Sequence, residues 1–470
     1  MFSVQGIPFC SFFLYSLLLS LSEAGLYSDQ IPEIKKTFPD VIVAANNYMI
    51  AIEQKKIAKA AWTPRVDIQG NASYSQSEVR GNPTHFFSML GGYLTFSQPI
   101  FDIERWYAVS KSKQSTFISE LQKKSMDQQF LMIFADGLLR VSEAKSRYYF
   151  SKQNFDYFVQ YFEKEKAREK KDFEAANPGK EFNWKKSLLL LTLDQEVRSG
   201  KRRVDSLLAD FVSEKTAFEV NFLGKEMKDL ELVNPFVKRK VLSEIESSVA
   251  IGAAHSNIGI KIAEAGVELT DIGLSEARKL RWPRASLFAQ AGINASRSGG
   301  TSDTTRNDMV GVQITIPVWD LSIKPKQEAA RLRSENARQD VVNVKAGVEL
   351  KARQLYQRID LAVKNIESLI EDFEASKAMI DIFLDDSDSL TPEEQLVEPA
   401  SNADRRLIMS THFSISSDLA QEQHVYLQSL LQLEFLRGRL SIESFSNIED
   451  RYFKSCKDYE NFVKLAEITE

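Results

Sequence analysis

The chain has 470 residues, with 60 Lys or Arg against 65 Asp or Glu and a formal net charge of -5. Its length allows two or three ordinary domains or one large elongated one. The near balance of charge argues against a nucleic-acid-binding protein, and no His/Cys group has the spacing of metal ligands.

An apolar run at the N-terminus, residues 9–25 (FCSFFLYSLLLSLSEAG), ends in small residues. Ser22 and Ala24 occupy the small-residue positions before a cleavage point, so residues 1–24 are predicted to be a secretory signal peptide. No Lys or Arg precedes the run, which leaves an uncleaved membrane anchor as the alternative. The run is shorter than the roughly 20 residues of a comfortable transmembrane helix, which favours the signal peptide.

Most of the remaining chain has the composition of long helices, rich in Lys, Glu, Gln, Ala and Leu and poor in Gly and Pro. The segments are residues 103–175, 184–222, 326–384 and 415–445. At about 1.5 Å per residue, the first would be on the order of 100 Å long. Helices of this length do not fit inside a compact globule, so they predict coiled-coil pairs or an α-barrel.

Two windows instead alternate apolar and polar residues with a period of two, which predicts β-strands. In the first window, strands at about 64–77 and 91–101 flank a loop, VRGNPTHFFSM. In the second, strands at about 284–297 and 308–319 flank the loop SGGTSDTTRND. Both windows end alike, since residues 94–102 read LTFSQPIFD and residues 312–320 read VQITIPVWD.

The two windows are copies of one another. WTPRVDIQGNASYS begins at Trp62 and WPRASLFAQAGINAS begins at Trp282, which gives a period of about 220 residues. This period is too long for a solenoid repeat. The predicted organisation is a first repeat over 25–245 with a helical hairpin at about 103–222, a second repeat over 246–445 with a hairpin at about 323–445, and a C-terminal segment over 446–470.

One face of each predicted strand is apolar and uncharged, and the other is polar, as a membrane strand beside a water-filled interior requires. Strands of about 10 to 13 residues match the 9 to 11 that a tilted strand needs to cross a bilayer. Four strands cannot close a barrel around a lumen, so several copies must pool their strands. The predicted lipid-facing residues are Val66, Ile68, Leu94, Phe96, Leu287, Val312, Ile314 and Ile316.

Four of the five Trp residues flank these strands at the helix-facing end of the hairpins: Trp62, Trp106, Trp282 and Trp319. This placement is typical of an aromatic girdle at a bilayer surface. The alternative is packing at the strand–helix junctions of a soluble protein. The girdle agrees with the signal peptide and with the uncharged strand faces.

With these elements in this order, the chain resembles the TolC-like outer-membrane efflux proteins. The resemblance rests on the Pro-Arg strand starts at Pro64 and Pro283, the strand ends FSQPIFD and ITIPVWD, the duplication and the helix-heavy remainder. It implies a mostly α fold with a β-barrel portion, in which duplicated helix–β-hairpin–long helical hairpin units supply four transmembrane strands per subunit. A 12-stranded trimeric barrel would continue as an α-helical barrel.

The resemblance also implies a homotrimer in the outer membrane of a Gram-negative cell, surrounded by outer-membrane lipid and projecting into the periplasm. It would be a passive exit duct for efflux or type I secretion, with a periplasmic adaptor and an inner-membrane transporter as partners. No catalytic, cofactor-binding or metal-binding residue is implied. The alternatives are a periplasmic coiled-coil adaptor and a structural envelope protein without a conducting pore.

The predicted hairpin tips depart from the usual signature of this family, which leaves the adaptor contact open. The first contains the turn Asn177-Pro178-Gly179, and the second is a longer segment over 383–407. Asp385, Asp386 and Asp388 in the second tip would form a ring of carboxylates in a trimer, and such a ring favours cations. The alternative is a solvated acidic loop.

Two charged runs flank the first tip: EKEKAREKK over 163–171 and RSGKRR over 198–203. They either dock an adaptor or form the solvent-exposed face of long helices. At the strand ends, Asp102 and Asp320 are predicted helix N-caps. Pro99 and Pro317 are predicted to end the ladder pairing, because proline has no N–H to donate.

Overall fold

The computed structural model describes residues 27–77, 85–223, 256–298, 301–384 and 402–443. The predicted signal peptide and the C-terminal segment over 446–470 lie outside these residues. In chain order the elements are α1 (Tyr27–Thr37), α2 (Pro39–Ala60), β1 (Arg65–Ser77), β2 (His85–Phe101), α3 (Ile103–Ala176), a 3-10 helix (Trp184–Lys186), α4 (Leu188–Phe218), a π-helix (Glu219–Leu223), α5 (Ile258–Arg278), β3 (Arg284–Ser298), β4 (Thr301–Thr315), α6 (Ile323–Leu384) and α7 (Asn402–Leu436).

The chain divides into two compact units, and each takes residues from both halves of the sequence. The sheet unit comprises Ile42–Met126 and Ile258–Ala346. The helical unit comprises the described parts of Met1–Val41, Asp127–Asn257 and Gly347–Glu470. Three of the four boundaries fall within helices and the fourth lies at the start of α5, and neither unit corresponds to one sequence repeat.

The four strands form one antiparallel sheet in the order β1-β2-β3-β4. Two hairpins therefore join edge to edge, with β2 paired to β3. In the register, Val66 lies opposite Phe96, and Phe96 in turn lies opposite Ala289. Leu287 lies opposite Val312 in the second hairpin.

The strands extend further into the predicted loops than the sequence pattern indicated. β2 begins at His85 rather than near 91, and β4 begins at Thr301 rather than near 308. Ser298 pairs with Thr301, so most of SGGTSDTTRND is strand and not loop. The pattern missed these residues because backbone pairing does not require apolar side chains. β4 also ends at Thr315, four residues before the predicted end at 319.

The prediction that Pro99 ends the ladder is wrong on one side of β2. Pairing with β1 stops at Ser97, which lies opposite Arg65. Pairing with β3 continues, with Pro99 opposite Ser286 and Phe101 opposite Ala285 across a register shift. A bulge is one of the places where a sheet accommodates proline. Pro317 lies two residues beyond the end of β4, as predicted.

The two aspartates at the strand–helix junctions differ in role. Asp102 is the predicted N-cap, since its Oδ1 accepts hydrogen bonds from the backbone N–H groups of Glu104 at 3.0 Å and Arg105 at 3.3 Å. Asp320 lies three residues before α6 and instead forms a turn, accepting from the Ser322 N–H at 2.8 Å. The Ser322 hydroxyl and N–H hold the pKa of Asp320 below its ordinary value.

Helices of the sheet unit are joined by polar contacts between side chains and neighbouring backbones. Thr116 of α3 donates to the Ala51 carbonyl of α2 at 3.1 Å, and Gln114 donates to the Ala265 carbonyl of α5 at 3.1 Å. Asp271 of α5 accepts from the Ser334 hydroxyl of α6 at 2.5 Å. That hydrogen bond, with a second one from Arg338, outweighs partial desolvation and lowers the pKa of Asp271.

Five phenylalanines form an aromatic core within the helical unit: Phe38, Phe130, Phe134, Phe218 and Phe222. Their ring centroids lie between 5.0 and 6.3 Å apart, the range in which aromatic pairs stabilise one another. Gly137 of α3 sits against this core. A Cβ at Gly137 would lie 2.8 Å from the Phe218 ring, so the close approach of α3 and α4 requires glycine there.

The first helical hairpin turns where the sequence predicted. The Lys180 N–H donates to the Asn177 carbonyl at 3.2 Å, and Gly179 has a φ of 87°, which glycine adopts readily. Ser187 caps α4 by accepting from the Leu190 N–H at 3.2 Å. Nearby, Leu190 and Leu193 are fully buried against aromatic side chains.

Charged side chains beside this turn pair largely within their own helices. Lys166 pairs with Glu163 at 3.4 Å, and Arg198 pairs with Asp194 at 2.7 Å. Ion pairs between residues three or four apart are typical of solvent-facing helices, and each stabilises its helix by only about 0.2–0.5 kcal/mol.

Gly137→Ala is expected to lower the thermal unfolding midpoint of the purified protein. The added methyl group overlaps the buried Phe218 ring, and overpacking of this kind costs about 1–3 kcal/mol of unfolding free energy. The measurement is the unfolding transition followed by far-UV circular dichroism.

Gly347→Ala is the matched control, because Gly347 also lies within a long helix and has no atom within 4 Å of the added Cβ. Removing its backbone freedom is expected to raise the unfolding free energy by about 0.5–1 kcal/mol. A Gly137→Ala protein as stable as Gly347→Ala would contradict the packing described for α3 and α4.

Candidate membrane-spanning surface

The register places one set of apolar residues on a single side of the sheet, because directly paired residues of antiparallel strands share a face. We call this side the apolar face. It is well exposed: Ile68 is 85% and Val310 is 76% accessible. It consists of Val66, Ile68, Gly70 and Ala72 of β1, Leu90, Gly92, Leu94 and Phe96 of β2, Ala285, Leu287, Ala289, Ala291, Ile293 and Ala295 of β3, and Val310, Val312 and Ile314 of β4.

Seven of the eight residues predicted to face lipid belong to this apolar face. The eighth, Ile316, lies one residue beyond the end of β4 and is exposed. The alternation of the sequence therefore assigned side chains to faces correctly, even where it misjudged the length of the strands.

The opposite side, the polar face, carries carboxylate, amide and hydroxyl groups along all four strands. Asp67 and Gln69 of β1, Thr95 of β2, Gln290 of β3 and Gln313 of β4 lie on it. The Thr95 hydroxyl donates across the hairpin to the Asp67 carbonyl at 3.3 Å. The sheet is therefore apolar on one side and polar on the other.

Two aromatic side chains also lie on the polar face, which the sequence reasoning did not anticipate. Tyr93 lies opposite Gly292, and its ring occupies the position that a Gly292 Cβ would take. Phe288 lies opposite Gly311, and its ring is 3.0 Å from the position of a Gly311 Cβ. In each case a glycine on the neighbouring strand makes room for the ring. The pairing of a glycine with an aromatic residue on the next strand could have indicated these contacts, but it can be recognised only when the register is known.

Asn71 and Asn294 lie on either side of Gly91 on the polar face, and their amide oxygens approach the position that a Gly91 Cβ would occupy. The Asn294 Oδ1 atom is buried and has no hydrogen-bond partner among the described residues. A larger residue at Gly91 would therefore require the Asn71 and Asn294 side chains to move.

The four tryptophans lie at one end of the sheet, beyond the strand ends that join the helices. Trp319 is 84% exposed and Trp106 is also exposed. Trp282 is 47% exposed and also packed, since its ring stacks on Phe101 with the ring centroids 6.2 Å apart and lies beneath the Lys279 ammonium at 5.5 Å. Trp282 thus takes part in the junction packing given as the alternative, and the girdle stays a prediction for the exposed Trp106 and Trp319.

Arginine and glutamine side chains connect the strands to the helices at this end. Arg105 binds the Asp102 carboxylate at 3.1 Å and donates to the Ala61 carbonyl. Arg284 pairs with Glu104, and Gln98 donates to the Trp62 carbonyl at 2.7 Å. These contacts fix where each strand turns into helix.

The opposite end of the apolar face carries charge. Arg306 and Asp308 continue the outward positions of β4 beyond Val310, and Arg297 follows Ala295 on β3. Arg306 lies in the predicted loop SGGTSDTTRND, so its outward position on β4 did not follow from the sequence, whereas Arg297 and Asp308 lie at the ends of the strands predicted at about 284–297 and 308–319.

The remaining predicted site falls outside the structure. Asp385, Asp386 and Asp388 lie outside the described residues. Within the part of the chain that is described, no group of His, Cys, Asp or Glu is arranged to hold a metal ion. None of the described helices combines the length and apolarity needed to cross a membrane.

The sheet ends in two edges, since β1 pairs only with β2 and β4 pairs only with β3 among the described strands. Each edge presents unpaired backbone N–H and C=O groups. Edges of this kind are templates for pairing with another chain.

The architecture recurs in solved bacterial channels. The outer membrane protein VceC of Vibrio cholerae has a TM-score of 0.66 and 12% identity, over 87% of this chain and 95% of that chain. The outer-membrane channel OprN has a TM-score of 0.66 and 16% identity, over 88% and 90%. The CmeC outer membrane channel of Campylobacter jejuni has a TM-score of 0.62 and 13% identity, over 90% and 89%.

No protein family profile and no curated protein sequence matches the chain. At identities of 12–16% the shared property is the fold. The fold expected from the sequence resemblance is confirmed: the chain has a TolC-like fold, mostly helical with a small antiparallel sheet.

Proposed function

We propose that the chain is a subunit of an outer-membrane efflux channel in a Gram-negative cell and that it forms a passive exit duct. The observation that carries this proposal is the two-sided sheet. Its apolar face is exposed and carries no charge from Val66 to Ala72 or from Ile314 to Val310, while its other face is polar. In water such a face is costly, whereas in lipid beside an aqueous lumen both faces are satisfied.

Assembly follows from the edges and the strand count. Four strands are too few to enclose a lumen, and a strand exposed to lipid must have its backbone groups paired. Pairing β1 of one copy with β4 of the next satisfies both edges at once. Three copies would give a 12-stranded barrel, the homotrimer implied by the resemblance, and the helices would continue the duct into the periplasm.

The energy for export would come from an inner-membrane transporter, reached through a periplasmic adaptor. The related structures include CmeC, OprN and MtrE, which are described as outer membrane channels. Similarity of fold to these outer membrane channels supports a channel role. No catalytic residue or cofactor is part of the proposal.

Cell fractionation is the experiment that tests this function. The protein is expected in the outer membrane, as a species that migrates as a trimer on semi-native gels and as a monomer after heating. The physical reason is that the apolar face partitions into lipid and the sheet edges pair between copies.

Two rivals give different results, one in the fractionation and the other in a conductance measurement on the membrane-bound protein. A periplasmic coiled-coil adaptor would be recovered in the soluble periplasmic fraction, and that result would refute the proposal. A structural envelope protein would be membrane-bound but would not conduct ions when incorporated into planar bilayers.

Phe96→Lys is expected to reduce the yield of heat-modifiable trimer, because position 96 belongs to the apolar face. A lysine on the lipid-facing side of a barrel strand costs up to about 2–4 kcal/mol at the bilayer midplane. Ile314→Lys should act in the same direction, with a smaller effect because Ile314 lies near the end of β4.

The adjacent polar-face variants are the controls. Thr95→Lys and Thr315→Lys should assemble normally and shift the reversal potential of the channel toward anion selectivity, since they add positive charge to the lumen. Equal assembly defects in Phe96→Lys and Thr95→Lys would show that the two faces do not meet different media.

The acidic cluster remains a proposal as a cation-binding entrance. Divalent cobalt or calcium ions are expected to block single-channel currents, and the triple substitution of Asp385, Asp386 and Asp388 by Asn should relieve that block. Block that persists unchanged in the triple variant would mean that these carboxylates are an ordinary solvated loop.

A further inference from the structure

We propose that the end of the apolar face farthest from the tryptophans binds the phosphate groups of outer-leaflet lipid through Arg297 and Arg306. This inference rests on the proposed function, because it requires the sheet to lie in the outer membrane. It adds a specific lipid partner to the surface, which the channel function by itself does not demand.

The register is the first support, because it shows that both arginines share the outward side. Arg306 lies opposite Ile293, a member of the apolar face, and Arg297 follows Ala295 at the next outward position of β3. Asp308 lies on the same side, opposite Ala291. All three charged side chains therefore lie on the outward side of the sheet and not in the lumen. Arg306 is level with Ile293 and Asp308 with Ala291, whereas Arg297 lies beyond Ala295, the last apolar position of β3.

The distance along β3 is the second support. Outward positions from Ala285 to Ala295 are all apolar, and they span eleven residues before Arg297. At 3.3 Å per residue and a strand tilt of about 40°, this stretch is about 25 Å tall, which is the height of the apolar band of an outer-membrane barrel. Arg297 thus lies where the hydrocarbon layer ends and headgroups begin.

Charge is the third support. Arg306 pairs with Asp308 at 2.8 Å through its Nε atom, and its side chain is 76% exposed. Arg297 is exposed and forms no hydrogen bond or ion pair with another described residue. Only one of the two arginines is balanced by a carboxylate, so this end of the outward side carries a positive surplus, and the planar guanidinium fork matches phosphate oxygens.

The Trp end of the same face has a different character. Its outward strand positions are Val66, Phe96, Ala285 and Ile314, and none is charged. The two ends therefore suit different headgroup layers. Aromatic rings border the layer nearest the helices, and arginines border the layer on the far side, where phosphorylated lipid of the outer leaflet would lie.

The test uses trimers purified from outer membranes and compares the binding of bis-phosphorylated lipid A with that of chemically dephosphorylated lipid A by native mass spectrometry. We expect the phosphorylated lipid to bind about tenfold more tightly, as a charged hydrogen-bonded pair allows. The Arg297→Gln and Arg306→Gln variants should each reduce this preference, and the double variant should abolish it.

Arg65→Gln is a matched control. Arg65 pairs with Asp67 at 2.8 Å and is 77% exposed, almost as Arg306 is, yet it lies on the polar face at the Trp end. It should keep the full preference for phosphorylated lipid. Equal loss in Arg65→Gln and Arg306→Gln would attribute the effect to net charge alone and overturn the proposed site.

Failure of this inference is distinguishable from failure of the proposed function. Outer-membrane trimers that bind both lipids equally, or a double variant that keeps the wild-type preference, would overturn the phosphate site alone. A protein recovered from the soluble periplasm, with no trimer to test, would overturn both proposals.

Discussion

An extended apolar surface on one side of a four-stranded sheet is the constraint on which the rest of the structure depends. The alternation of β1–β4 places Val, Ile, Leu, Phe and Ala on that side, and the helices of the sheet unit leave it exposed. Removing each large apolar side chain from water stabilises by about 1.5–3 kcal/mol, so the sum over this face is large. A soluble protein rarely exposes so much contiguous apolar surface, and a lipid-facing one requires it.

The same constraint accounts for the other parts of the sheet. Lipid offers no hydrogen bonds, so in the proposed channel the unpaired edges of β1 and β4 would need partner strands, which further copies of the chain would supply. The junctions to the helices lie at the end where Trp106 and Trp319 are exposed, and polar contacts such as that of Gln98 with the Trp62 carbonyl fix the change from strand to helix. Away from the sheet, ordinary packing takes over, as in the phenylalanine core around Phe134.

Much of this could be predicted from the sequence, and the errors have physical causes. The long helices and the faces of Ile68 or Leu94 follow from periodicity, because core and lipid contacts both select side chains at regular intervals. Strand ends did not follow, since residues such as Thr301 and Asp303 pair through their backbones without an apolar pattern. That error hid the outward position of Arg306. The contacts of Tyr93 with Gly292 and of Phe288 with Gly311 depend on register, which no single strand reveals.

Single-channel recording tests the central claim most directly. Trimers purified from the outer membrane and added to a planar lipid bilayer should produce discrete, reproducible conductance steps. Thr95→Lys on the polar face should change ion selectivity, because Thr95 would line the conducting path. Trimers that insert stably and yet never conduct, or a selectivity unaffected by charge at position 95, would contradict the assignment of the polar face to a water-filled lumen.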